Sequence, residues 1–153
     1  YGMSADAYHM TLPSENGEGA TRCMELAIKD ADIDPQNIQY INAHGTSTPA
    51  GDVIEAAAIK NLFSTSSNLV VNSTKSMIGH LLGAAGGVEA IVTVLSIHNQ
   101  MIHPTINIEN QDPNCDLDFC KDSSREHSFD FALSNSFGFG GTNGSLVFSK
   151  YKE

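Results

Sequence analysis

The chain has 153 residues, of which 41% are hydrophobic, and carries a formal net charge of −10 at pH 7. This length fits one domain with its own hydrophobic core. The acidic excess argues against nucleic acid or an anionic membrane as a partner, because both attract clustered Lys and Arg.

No uninterrupted apolar run of membrane-spanning length is seen, and the N-terminus lacks the basic and cleavage regions of a signal peptide. The three cysteines lack metal-ligand spacing, so we interpret Cys23, Cys115 and Cys120 as reduced structural thiols. We therefore expect a cytoplasmic protein that does not span a membrane and does not bind a metal.

Helices and strands are predicted to alternate over the first hundred residues. Apolar residues at helical spacing predict a helix over 19–31, and a short buried strand follows over 38–43. The same reasoning predicts a helix over 52–63, a strand over 69–72 and a long buried helix over 80–99.

The last third of the chain has a different character. Residues 116–119 are predicted to form a short strand, and two longer strands are predicted over 129–136 and 145–150. Strands that alternate with helices, followed by a closing antiparallel hairpin, indicate an α/β fold with a mixed sheet covered by helices.

Two polar loops follow the predicted buried strands, one after Ala43 and one after Asn72. Since open α/β sheets place their sites at the carboxyl ends of strands, we expect these loops to lie side by side. The first loop places His44 close to the hydroxyl groups of Thr46 and Thr48. Taken alone, His44 also fits a core histidine satisfied by backbone groups.

The second loop contains Lys75 and leads to His80, at the predicted start of the apolar helix. The positive end of the helix dipole disfavours imidazolium, and a neutral imidazole can donate a hydrogen bond to a carbonyl or enolate oxygen. Glu89 lies inside the same helix and is costly to bury alone, so Lys75 is its expected counter-ion. Asp52 is expected to cap the helix predicted over 52–63.

A glycine-rich segment over 137–144 joins the last two predicted strands. A dinucleotide-binding fingerprint requires a helix after the loop, so nucleotide binding is rejected. We interpret the segment as a mobile loop that moves Phe139 into and out of a cavity.

Three motifs, over 42–52, 75–86 and 135–144, resemble the three C-terminal signatures of the β-ketoacyl synthases. The opening over 2–9 and the stretch over 115–119 resemble the bacterial type II elongation enzymes of that family. The resemblance covers essentially the whole chain, with the motifs in the family's order.

The resemblance implies a thiolase fold, with residues 1–153 forming its C-terminal half-domain. The family's nucleophilic cysteine lies in the N-terminal half, and none of the cysteines here matches it. The implied reaction is an acyl transfer, a decarboxylative Claisen condensation of an acyl-enzyme with malonyl-acyl-carrier protein. The family uses no cofactor, because the phosphopantetheine arm of acyl carrier protein carries the substrates. The implied partners are that carrier protein, the N-terminal half and a second subunit in a homodimer.

By the same resemblance, His44 and His80 stabilise the enolate and Lys75 orients them. The remaining implied roles are pantetheine binding by Thr46 and Thr48, gating by Phe139 with the loop residues Phe137, Gly138, Gly140 and Gly141, and structural support by Glu89, Asp52 and Glu55.

Two other functions are considered. Polyketide ketosynthase modules usually have Gly and Pro where this chain has Ser47 and Val53, which favours fatty-acid elongation. A non-catalytic partner similar to a chain-length factor tends to lose active-site residues, whereas His44, Lys75 and His80 are all present. Without a suitable cysteine, the chain by itself is expected to be inactive.

Overall fold

The computed structural model describes residues 1–152. The helices in this part of the chain are α1 (Glu18–Asp30), α2 (Gly51–Leu62), α3 (Lys75–Ile78) and α4 (Ala85–Asn99). The strands are β1 (Gly2–Ala5), β2 (Ile38–Asn42), β3 (Val70–Asn72), β4 (Met101–Ile102), β5 (Arg125–Glu126), β6 (Phe131–Gly138) and β7 (Thr142–Ser149).

A five-stranded mixed sheet organises the fold, with the strand order β1-β7-β6-β2-β3. Strands β3, β2 and β6 are parallel, whereas β7 runs antiparallel to both β6 and β1. The α/β class, the mixed sheet and the closing antiparallel hairpin are therefore confirmed.

Alternate residues of the strands build two separate cores, one on each face of the sheet. Ile41 packs with α1 and α2 on one face, while its neighbour Tyr40 packs with α4 on the other. Val71 and Val70 divide in the same way. The sheet is thus covered by helices on both faces, which leaves its carboxyl edge open for a site.

The structure differs from the prediction in several elements, including β1 and α3, which were not predicted. Residues 116–119 form no strand, although the carbonyl of Asp118 accepts a hydrogen bond from the Val71 amide at 2.8 Å. The small ladder of β4 and β5 was not predicted, because two-residue strands carry almost no periodicity. The long helix begins at Ala85 instead of at 80, after a separate turn of 3₁₀-helix over Leu82–Ala84.

Helix α4 is also not buried on all sides as predicted. Its buried face carries polar residues, and its exposed face carries large apolar residues. Its buried positions include Glu89 and Thr93, whereas Ile91 and Leu95 are 63% and 52% exposed. An apolar face of this kind normally contacts another surface.

The segment Leu82–Asn99 has the length and composition of a membrane span, contrary to the expectation from its interrupted apolar run. Its mean hydropathy is 1.2, and 28% of the segment is buried in the fold. Core helices of globular proteins meet the same criterion, and here Ile97 of α4 packs in one core with Tyr40 and Val70 of the sheet. This match alone does not indicate a membrane.

Candidate active site

The two polar loops meet at the carboxyl edge of the sheet, as expected. Because β2 and β3 are parallel neighbours, their ends place Ala43 and Ser73 beside each other. The Ala43 amide donates to the Asn72 carbonyl at 2.7 Å, and the Ser73 hydroxyl donates to the Gly45 carbonyl at 3.0 Å. A Cβ on Gly45 would lie 2.7 Å from that of Ser73, so this close approach requires glycine.

His44 and His80 lie against each other at this edge. Their ring centroids are 5.4 Å apart and the rings are nearly perpendicular, at 87°. Both side chains therefore lie on the same side of the sheet, close enough for one small group to contact the pair. This geometry confirms that the two loops bring the histidines together.

His44 is neutral at physiological pH. Burial, with smaller electrostatic contributions from Lys75 and His80, lowers the pKa of His44 to about 3. Within residues 1–152, its buried Nδ1 atom has no hydrogen-bond partner. A neutral ring of this kind can donate one hydrogen bond to an oxygen with growing negative charge.

His80 differs from the prediction in its setting. It follows Gly79, the residue that ends α3, and lies five residues before α4 begins, so it is not at the N-terminus of the long helix. Its Nδ1 atom accepts a hydrogen bond from the Leu82 amide at 3.2 Å. With Nδ1 as acceptor, the ring proton lies on Nε2, where it can donate.

Lys75 and Glu89 form a buried ion pair, as predicted. Their residues are 7% and 1% exposed, and the Lys75 ammonium donates directly to a Glu89 carboxylate oxygen. Burial raises the pKa of Glu89, while the hydrogen bond and the charge of Lys75 oppose that rise. The pair places a fixed positive charge close to His44.

The loop that carries His44 is held from below by Glu55. The Glu55 carboxylate accepts hydrogen bonds from the backbone amides of His44 and Gly45, both at 2.9 Å. A third donor, the Asn135 side-chain amide, lies at 3.1 Å. Burial raises the pKa of Glu55, and these donors oppose the rise.

Asn135 was missed as a supporting residue in the sequence analysis. It lies on β6 and is fully buried, with its side-chain oxygen accepting from the Ser145 hydroxyl at 2.7 Å. Its position at the start of the third motif was the available signal. A buried asparagine needs several partners, so it serves as a rigid link between Glu55 and the hairpin.

Asp52 does not cap α2 as predicted. It is the second residue of that helix, and Ala50 occupies the capping position. Its carboxylate instead accepts a hydrogen bond from the Ser47 amide at 3.0 Å. Asp52 thus binds the loop at Ser47, whereas Glu55 binds it at His44 and Gly45.

Thr46 and Thr48 line an open cleft of about 930 Å³ beside the histidines. Their hydroxyl oxygens are 3.4 Å apart. The cleft also reaches Lys75 and His80, which gives a polar ligand a continuous path to the site.

The glycine-rich turn places its two phenylalanines differently. Phe137 lies on β6, and its ring centroid is 5.9 Å from that of His44. Phe139 lies in the turn between β6 and β7 and is 79% exposed. The structure therefore brings Phe137, and not Phe139, close to His44. Gly140 and Gly141 adopt positive φ angles of 80° and 72°, with Gly138 just before the turn.

The three cysteines are free and buried, and Cys115 lies in the wall of the cleft. Burial raises the pKa of all three thiols. This agrees with their interpretation as structural residues, since a nucleophilic cysteine requires a lowered pKa.

Comparison with known proteins places the chain in a family. Residues 1–109 match the β-ketoacyl synthase C-terminal domain. The chain is 56% identical over 151 residues to 3-oxoacyl-[acyl-carrier-protein] synthase 2 of Coxiella burnetii and 54% identical over 153 residues to that of Synechocystis. This chain therefore belongs to the β-ketoacyl synthase family, and its segment corresponds to the C-terminal part of those proteins.

Solved structures agree with this placement. The ishigamide ketosynthase/chain length factor superimposes with a TM-score of 0.93 at 38% identity, covering 99% of this chain and 37% of that chain. A β-ketoacyl synthase from Burkholderia phymatum gives 0.92 at 39% identity, covering 99% and 36%. The thiolase-like fold is thus confirmed. The Coxiella and Synechocystis matches cover 98% and 99% of this chain but only 36% and 37% of the relatives, so the chain spans about a third of their length.

Proposed function

We propose that this chain supplies the histidine and lysine part of the active site of a 3-oxoacyl-[acyl-carrier-protein] synthase in fatty-acid elongation. The observation that carries the proposal is the contact between His44 and His80 beside the buried Lys75–Glu89 pair. Identities of 52–56% to curated 3-oxoacyl-[acyl-carrier-protein] synthase 2 proteins support this substrate class.

The chemistry follows from the two rings. Loss of carbon dioxide from a malonyl thioester leaves an enolate whose negative charge grows on the thioester oxygen. Nε2–H of His80 and the ring N–H of His44 can donate to that oxygen, which lowers the barrier without any cofactor. Burial keeps His44 neutral and the nearby positive charge of Lys75 adds to this effect, so we assign Lys75 an orienting and tuning role.

The acyl-carrying cysteine would come from an N-terminal half packed on this chain. The exposed apolar face of α4, which includes Ile91 and Leu95, is the surface proposed to contact that half. A pantetheine arm of acyl carrier protein would reach the histidines along the cleft past Thr46 and Thr48. The assembled enzyme is proposed to be a homodimer.

A polyketide ketosynthase is the second candidate, since a type II polyketide ketosynthase complex with its acyl-carrier protein superimposes with a TM-score of 0.93. Its identity to this chain is 39%, against 56% for the Coxiella relative, which favours fatty-acid elongation. A non-catalytic partner similar to a chain-length factor is disfavoured because His44, His80 and Lys75 retain a connected geometry.

A chimera tests the proposal, in which this chain replaces the matching C-terminal segment of the Coxiella relative. Release of carbon dioxide from malonyl-acyl-carrier protein and formation of a product two carbons longer would be measured. His44→Ala and His80→Ala should each lower the decarboxylation rate by about 100-fold or more, while His127→Gln, outside the cleft, should not. Full activity of both alanine variants would refute the proposed roles.

A further inference from the structure

The segment 103–106, which we call the strap, is bound to the segment that carries Lys75. Helix α3 has only four residues and no side-chain cap, so its own hydrogen bonds cannot hold it rigidly. Four hydrogen bonds join the segments: Asn72 Nδ2 to the His103 carbonyl at 2.6 Å, Ser73 amide to Thr105 Oγ1 at 3.1 Å, Thr74 Oγ1 with His103 Nε2 at 3.1 Å, and Ile106 amide to Ser76 Oγ at 3.1 Å.

The contact between Thr74 and His103 is set by the tautomer of the histidine. Nδ1 of His103 lies 3.1 Å from the Pro104 carbonyl, which can only accept, so Nδ1 carries the proton. Burial lowers the pKa of His103, against a smaller opposing contribution from the Pro104 carbonyl, and an Nε2 atom without a proton can accept from the Thr74 hydroxyl.

Asn42 completes the chain on the other side. Its side-chain nitrogen donates to Thr74 Oγ1 at 2.9 Å and lies 3.3 Å from the Glu89 carbonyl. The Thr74 hydroxyl also lies 3.1 Å from Asn42 Oδ1, so Asn42 and His103 both meet its single proton. Asn42 precedes His44 by two residues and Thr74 immediately precedes Lys75, so one network joins the segments that carry them.

We propose that His103 is a positioning residue for the reaction: through Thr74 it holds the turn that places Lys75 behind the histidine pair. This inference rests on the proposed function, because Lys75 is assigned its orienting role there. His103 itself touches neither the cleft nor the paired histidines among the described residues. Its effect should therefore fall on the rate of the decarboxylating step and not on substrate binding.

The side-chain chemistry allows a matched series in the chimera described above. In His103→Gln, the amide oxygen reaches the former Nε2 position and can accept from Thr74. In His103→Asn, the shorter amide reaches only the Nδ1 position and loses Thr74. His127→Gln serves as the control, since the His127 ring lies against the Asn68 carbonyl and the Phe129 ring, outside the cleft.

His103→Asn should lower kcat for malonyl decarboxylation by about 10-fold, with KM within about twofold, because a small misplacement of a catalytic group is costly. His103→Gln should stay within about threefold of the unsubstituted chimera, since it keeps the hydrogen bond. Thr74→Val should lower kcat as much as His103→Asn does. The double variant should lower kcat no more than either single variant, because both substitutions break the same hydrogen bond. Self-acylation by the acyl donor, measured by mass spectrometry, should be unchanged in all.

Equal losses in His103→Gln and His103→Asn, or equal losses of decarboxylation and self-acylation, would overturn the inference in favour of a purely structural role. A lower thermal unfolding midpoint in His103→Asn that accompanies a full loss of both activities would overturn it in the same way. An unsubstituted chimera that does not decarboxylate malonyl-acyl-carrier protein would instead refute the proposed function, and the inference with it.

Discussion

The buried pair of Lys75 and Glu89 offers the sharpest test of how this site is built. In Lys75→Met the Glu89 carboxylate loses its hydrogen-bond donor, and its second oxygen already has no partner within residues 1–152. Removing one member of a buried ion pair costs about 3–5 kcal/mol. Since domains of this size are stable by about 5–15 kcal/mol, the loss is a large fraction of the total.

The loss should depend on pH with a defined sign. Burial raises the pKa of Glu89, and the bond to Lys75 opposes that rise, so Lys75→Met should raise the pKa further. A carboxyl group with a raised pKa binds more protons in the folded state, so the stability of Lys75→Met falls as pH rises through that pKa. The destabilisation caused by Lys75→Met should therefore become smaller as pH falls towards about 4.3, the pKa of a glutamate in an unfolded chain.

Urea unfolding of the chain at low concentration measures this as a double-mutant cycle. Lys75→Met combined with Glu89→Gln should cost about 1–3 kcal/mol less than the sum of the single losses, and its pH dependence from Glu89 should vanish. If each single variant lost less than about 1 kcal/mol of unfolding free energy, and the two losses added, the pair would be screened by solvent. That result would refute the reasoning.

Three further predictions concern other parts of the chain. Glu55→Gln should lower stability by about 1–3 kcal/mol in thermal unfolding, because an amide group would face backbone donors; Glu25→Gln, on the exposed side of α1, should change little. Replacing Ile91 and Leu95 by Gln should reduce self-association of the chain in light scattering, because their exposed apolar face favours contact. As pH falls below 6.5, the histidine takes up a proton in the unfolded chain but not in the fold, so the free energy of unfolding should decrease. His44→Phe should not show this decrease, so the pH profiles of stability of the two proteins should diverge.

Each of these has a clear contrary result. Equal stability of Glu55→Gln and Glu25→Gln would show that the loop of His44 does not depend on the carboxylate. Unchanged self-association after replacement of Ile91 and Leu95 by Gln would show that another surface mediates the association. Parallel pH curves would mean that His44 titrates normally, against a folded pKa of about 3.

The sequence alone was enough for the general architecture and for the meeting of the two histidines. Period-two strands and helical spacing are local signals, so β2, β3 and α2 fell within one residue of their predicted limits. Once two parallel strands are neighbours, the loops at their carboxyl ends must meet, which brings His44 towards His80. Lys75 and Glu89 could be paired because neither charge can be buried alone.

Only the tertiary structure decided which face of each element is covered and which distant groups meet. The inverted polarity of α4 could not be read from composition, because a mostly apolar helix of either orientation has the same residues. His80 could not be placed before α4 because local periodicity does not mark where the intervening turn ends. Asn135 meets Glu55 across 80 positions of sequence, and His103 meets Thr74 across 29. Hydrogen bonds over such separations depend on the packed sheet and leave no periodic signal in the chain.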